Sequence, residues 1–127
     1  MSVTDFRLTF TLETSRGWVR TKGYGPIDSA AYVDGSIAFF KTLEAPWRYH
    51  SLVDWSQCSG FVVYEDLFRL AAFWAPYLHL MAAPRKIAVV SVNRLTVARM
   101  PSVDQLFPGQ IYRPFATVVD AESWLAG

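Results

Sequence analysis

The sequence predicts an α/β fold: a five-stranded mixed sheet, mostly parallel, with an N-terminal β-hairpin and about four helices. Three observations carry this expectation. FRLTFTL alternates Phe6, Leu8, Phe10 and Leu12 against Arg7, Thr9 and Thr11, the period of a strand with one buried face. After the hairpin, strand-like runs alternate strictly with segments of helical spacing, the pattern of parallel strands joined by right-handed crossovers. KIAVVSV, Lys86 to Val92, has a continuous apolar centre, as a strand covered on both faces requires.

The elements follow in order. Glu13 to Gly17 turns the chain, and Gly17 to Thr21 returns it as the second strand of a hairpin. Lys22 to Pro26, rich in glycine, reads as loop. Asp28 or Ser29 caps a first helix running to about Leu43, with Ala30, Val33, Ile37 and Phe40 at helical spacing. Gly35 weakens that helix and Pro46 forces a break. Arg48 to Trp55 is the third strand, and Ser59 is placed to cap a second helix from about Val62 to Met81. Asn93 caps a third helix to about Met100, where Pro101 ends or kinks it, with a further turn over Ser102 to Leu106. Gln110 to Ala116 is the last strand, put near an edge by Pro114. Asp120 caps a short closing helix, Ala121 to Leu125.

Composition bounds the function. The 127 residues form one expected domain, 1–127, and 52% hydrophobic residues argue against disorder. Charged residues are only 18%, against roughly 25% in soluble domains, which leaves apolar surface for another chain to cover. A formal net charge of +1 gives no field to attract nucleic acid. The lone Cys58 precludes an internal disulfide and fits a reducing cytoplasm. MSVTDFRLTF lacks the features of a signal peptide. Leu70 to Pro84, free of Asp, Glu, Lys and Arg, is 15 residues long, short of the roughly 20 that span a bilayer. The expectation is a soluble, cytoplasmic protein.

Three stretches resemble a known superfamily. Leu52-Val53-Asp54-Trp55-Ser56 is similar to the strand-ending "hydrophobic-V-D-hydrophobic-S" of SpoIIAA-like proteins, relatives of the STAS domain of anti-sigma factor antagonists and anion-transporter tails. Ala98-Arg99-Met100 resembles the "ARM" that follows strand four in the SpoIIAA-like branch. Val118 to Leu125 resembles its closing "D-x-x-E-A-hydrophobic-W-L" helix, with the Glu-Ala order altered. The element order extends the resemblance over essentially the whole chain, and it implies a regulatory domain that works through protein partners. In regulatory members a phosphorylatable Ser or Thr follows the strand-ending Asp by about nine residues. Here that position is Val63, then Tyr64, so Ser59 is the stand-in and Ser56 the next candidate.

The residues themselves point away from catalysis. A serine nucleophile needs a base and an orienting acid. His50 shares a strand face with Asp54 but lies about 13 Å from it along the strand, and His79 has no motif around it. One Cys and two scattered His make no metal cluster, and KGYGP lacks the spacing of a phosphate loop. No cofactor is expected. Asp54, Ser56 and Ser59 are read as a loop site or phosphoacceptor. The second helix is the more informative feature: Leu70, Phe73, Trp74, Tyr77 and Met81 spread around its cylinder where a surface helix should show a polar stripe. The expected function is a non-catalytic regulatory or protein-interaction module, homodimeric, with that helix as its contact. The alternative is a binder of a small apolar or lipid-like ligand, and a small hydrolase ranks last.

Overall fold

The computed structural model describes residues 5–127. It contains the expected five-stranded sheet, in the order β1-β2-β3-β4-β5, so every strand lies beside its neighbours in the chain. β1 (Arg7–Glu13) and β2 (Trp18–Pro26) pair antiparallel as the hairpin. β3 (His50–Ser59), β4 (Arg85–Val90) and β5 (Gln110–Phe115) continue the sheet in parallel. Between them run α1 (Ser29–Lys41), α2 (Tyr64–Trp74) and α3 (Arg94–Gln105), with α4 (Val118–Ala126) closing the chain.

The strands divide their side chains between two cores, as a period of two demands. Val19, Val53, Trp55, Ile87 and Val89 point to the side of α1, α2 and α3, where they meet Val33, Phe40, Leu70, Trp74 and Phe107. Trp18, Leu52, Ala88 and Val90 point the other way and are covered by Ala121 and Leu125 of α4. Sequential strand order with crossovers of one hand puts all three connecting helices on one face. The opposite face is left to α4 alone.

Several boundaries differ from the sequence expectation. Lys22 to Pro26 is strand, not loop. The first of its two glycines is there for packing: a Cβ at Gly23 would lie 2.7 Å from the Trp55 ring and 2.9 Å from Cys58 Sγ. Arg48 belongs to a short 3-10 turn, Pro46–Arg48, and β3 starts at His50. α2 stops at Trp74, and a 3-10 turn, Ala75–Leu80, replaces its expected last turns, with Pro76 unable to continue an α-helical hydrogen-bond ladder. α3 runs past Pro101 to Gln105, forgoing only the bond that a main-chain N–H there would give the Val97 carbonyl. Asp28 is the α1 cap, accepting the Ala31 N–H at 3.0 Å, and Asn93 caps α3. The cap of α4 is Thr117, not Asp120, whose own N–H donates to the Thr117 hydroxyl at 3.2 Å. β5 is an edge strand, as Pro114 requires.

Candidate functional site

Asp54, Ser56 and Ser59 lie on one strand, and the strand separates them. β3 does not end at Trp55. It continues through Ser59, paired with β2 as far as Pro26 (Pro26 opposite Ser59), and so outruns β4, whose last partner on β3 is Asp54. Asp54 is buried, with Oδ1 accepting the Ser56 N–H at 2.9 Å and Oδ2 lying 3.3 Å from Lys22 Nζ. Burial pushes its carboxyl upward, but the hydrogen bonds from Ser56 and the Lys22 charge outweigh it and hold it below its ordinary value. Asp54 is therefore a paired carboxylate that fixes the hairpin-side strands to each other.

Ser56 and Ser59 are exposed. Ser59 does not cap α2, contrary to expectation. Its residue is still in the strand, and its carbonyl accepts the Ile27 N–H at 2.9 Å. The N-cap position of α2 is Val63, which has no side-chain acceptor, and the Val63 N–H donates instead to Ser29 Oγ at 2.9 Å. A hydroxyl from the start of α1 thus satisfies the N–H of the entry residue, one of the main-chain donors that a helix start leaves open. No signal near residue 63 in the sequence could have found it.

The Ser-His-Asp combination does not form from these residues. His50 Nδ1 accepts the Lys86 N–H at 2.9 Å, which commits that nitrogen to the β4 backbone. Burial, then the Lys86 and Arg85 charges, lower the His50 pKa. His79 is exposed on the 3-10 turn. Cys58 is half-buried, and burial followed by the Asp54 charge pushes its thiol up to about 11, away from thiolate chemistry.

The α2 region divides differently from its sequence reading. Leu70 and Trp74 are each 3% exposed and belong to the core, so neither is free to meet a partner. Phe73, Tyr77 and Met81 are half-buried, with Tyr77 stacked on Trp47 at 5.6 Å. The exposed apolar residues are Phe68 (54%), Leu78 (42%) and Leu80 (41%). Phe68 and Leu78 border an apolar groove of about 360 Å³ that also runs along Ala72, Ala75 and Pro108. A separate apolar cavity of about 50 Å³ lies between the sheet, α2 and α3, with Phe61 and Arg99 among the residues around it. It has room for a few atoms, against the roughly 300–1,000 Å³ of ordinary ligand pockets.

Trp74 has a further role that the sequence hid. The buried guanidinium of Arg85 lies 4.1 Å from the Trp74 ring centre and 4.9 Å from that of Phe40. Its Nε donates to the Tyr49 carbonyl at 2.7 Å, Nη1 to Gln110 Oε1 at 2.8 Å, and Nη2 to the Ser51 hydroxyl. Nothing in the sequence neighbours of Arg85 marks it as a core residue.

No family model and no curated protein matches the chain. Solved structures do. One is an uncharacterized protein of the DUF3478 family from Shewanella loihica PV-4, described as having a SpoIIAA-like fold; it is 14% identical, with a TM-score of 0.57 over 98% of this chain and 97% of that one. The chain has the SpoIIAA-like fold. A second similar structure is an anti-sigma factor antagonist from Mycobacterium paratuberculosis, 15% identical, with a TM-score of 0.57 over 99% of this chain and 98% of that one. In this chain Asp54 lies within β3 and does not end it, and at the start of α2 Val63 stands at the helix entrance with Ser29 reaching it from α1. No described helix is long and apolar enough to cross a membrane.

Proposed function

We propose that this chain is a non-catalytic regulatory module of STAS-like type that acts in the cytoplasm by binding another protein. The observation that carries the reading is the apolar groove beside α2, bordered by Phe68 and Leu78 at 54% and 42% exposure. Exposed aromatic and aliphatic side chains around a shallow groove are the usual material of an interface core. The anti-sigma factor antagonist among the similar structures supports a regulatory role reached through protein contacts. Ser56 and Ser59, exposed on the β3 extension, are the hydroxyls a kinase would reach.

The test is a partner capture by the native protein repeated with Phe68→Asp/Leu78→Asp, whose changes fall on exposed positions. Binding should drop by at least tenfold while circular dichroism stays native. A partner held equally well by the variant would sink the reading. The rival, a small apolar or lipid-like ligand, would use the same groove, because the 50 Å³ cavity beside Phe61 has room for only a few atoms. Native mass spectrometry separates the two: co-purified ligand mass favours the rival, and bare protein disfavours it.

A further inference from the structure

We propose that two copies of this chain pair through β1, joining two five-stranded sheets into one. β1 is an edge of the sheet: β2 is its one partner strand among the described residues. Natural edges are guarded by prolines, bulges or central charges. β5 carries Pro114. β1 has no proline, pairs with β2 in unbroken register from Arg7 to Glu13, and keeps its charges at its two ends.

The strand is also complementary to itself. Laid antiparallel about Phe10, RLTFTLE sets Arg7 against the second copy's Glu13, Leu8 against its Leu12 and Thr9 against its Thr11, with Phe10 facing Phe10. Opposite charges, matched aliphatics, paired threonines and an aromatic pair are each favourable across strands. A two-fold axis repeats every one of these contacts, as a closed dimer requires. Arg7 is available for the role: it lies over the Tyr24 ring at 5.1 Å and enters no salt bridge with another described residue.

The main chain is turned the right way. Glu13 O accepts the Gly17 N–H at 2.9 Å and the Arg16 N–H at 3.1 Å, so its peptide groups face the hairpin side. Alternation then turns the N–H and C=O of Leu8, Phe10 and Leu12 outward. These are the residues that the self-pairing register places opposite one another. Their side chains are only half-buried, with Phe10 stacked on Phe39 of α1 at 5.2 Å. A second β1 would extend that apolar layer beneath α1. The contact leaves the α2 groove untouched, so its failure would not bear on the function proposed above.

Sedimentation velocity at micromolar concentrations should show a dimer. Arg7→Glu and Glu13→Arg should each weaken it by about tenfold, because like charges then face across the new strand pair. Mixing the two variants should restore dimer, since each introduced charge meets its opposite. Amide exchange locates the contact independently of any variant: the N–H groups of Leu8, Phe10 and Leu12 should exchange at least tenfold more slowly in concentrated than in dilute protein. A monomer throughout, or a dimer in which those three amides exchange freely, overturns the proposal. So does an Arg7→Glu protein that dimerises as well as the native chain. If Glu13→Arg fails to fold for want of its Arg20 contact, the exchange measurement still decides.

Discussion

Arg85 and Arg20 lie on opposite faces of the sheet and keep different company. Arg85, under α1 and α2, is 3% exposed and is held by a carbonyl, an amide, a hydroxyl and two aromatic faces. Arg20, on the α4 face, sits between two carboxylates, 2.7 Å from Glu13 and 2.6 Å from Glu122, with Arg16 joining both. The side chains of that second group remain 22–50% exposed. Depth explains the difference. A carboxylate beside Arg85 would add a second charge to be stripped of water, whereas neutral acceptors satisfy its N–H groups at lower cost. Burial pulls Arg85 down to about 10, and it remains a cation at neutral pH. Near water, the Arg20 cluster loses little hydration and gains little stability.

The largest predicted effect breaks the buried half of this comparison. Arg85→Ala leaves the Tyr49 carbonyl, Gln110 and Ser51 without their donor and opens a cavity under Trp74, which should cost about 3 kcal/mol or more in urea denaturation. Arg85→Met keeps much of the volume and should cost about half as much. Equal losses would mean that the hydrogen bonds, not the packing, carry the effect.

A smaller effect is read in pH. His50, buried near Arg85 and Lys86, has a folded pKa below its ordinary value, so the unfolded chain binds more protons in that window. Stability should therefore be intact above about pH 6.5 and fall as the pH drops through the window below it, by no more than about 1.4 kcal/mol per pH unit. His50→Gln should flatten this limb. Arg85→Met should narrow it by removing one of the charges that hold the pKa down. An unchanged limb in His50→Gln would rule His50 out as its source; the carboxylates held below their ordinary values, Glu13, Asp54 and Glu122, lose their contribution only below about pH 4.5.

The smallest effect is expected on the open face. Glu122→Gln removes partners of Arg20 and Arg16 that water can replace, and should cost under about 1 kcal/mol, less at high salt. A loss rivalling Arg85→Ala would mean that the cluster acts as a tight network and would erase the contrast between the faces.

The same contrast marks what could be read from residues alone. The hairpin, the Asp28 and Asn93 caps, the buried β4 and the edge position of β5 rest on local patterns, and the structure has them. Contacts between distant segments left no such trace. Ser29 reaches the entrance of α2 from 34 positions away, and the reason for Gly23, the Trp55 ring, lies on the neighbouring strand, so KGYGP reads locally as loop. Trp74 and Leu70 read as surface because a helix with hydrophobic residues all round gives no sign of which side faces the sheet. For the same reason nothing in the sequence singles out Phe68, which is exposed and borders the groove.

The strand order has a consequence for the chain as it is made. Each strand is laid beside the one before it, so the sheet can grow during synthesis without waiting for a distant segment. The helices of one face arrive along with it. The other face must wait: Trp18, Leu52, Ala88 and Val90 stay wet until α4, which follows every strand of the sheet in the chain, emerges and lays Ala121 and Leu125 over them. That interval, with a finished sheet and one bare apolar strip, is when the nascent chain is most prone to stick to others and when a chaperone has most to hold.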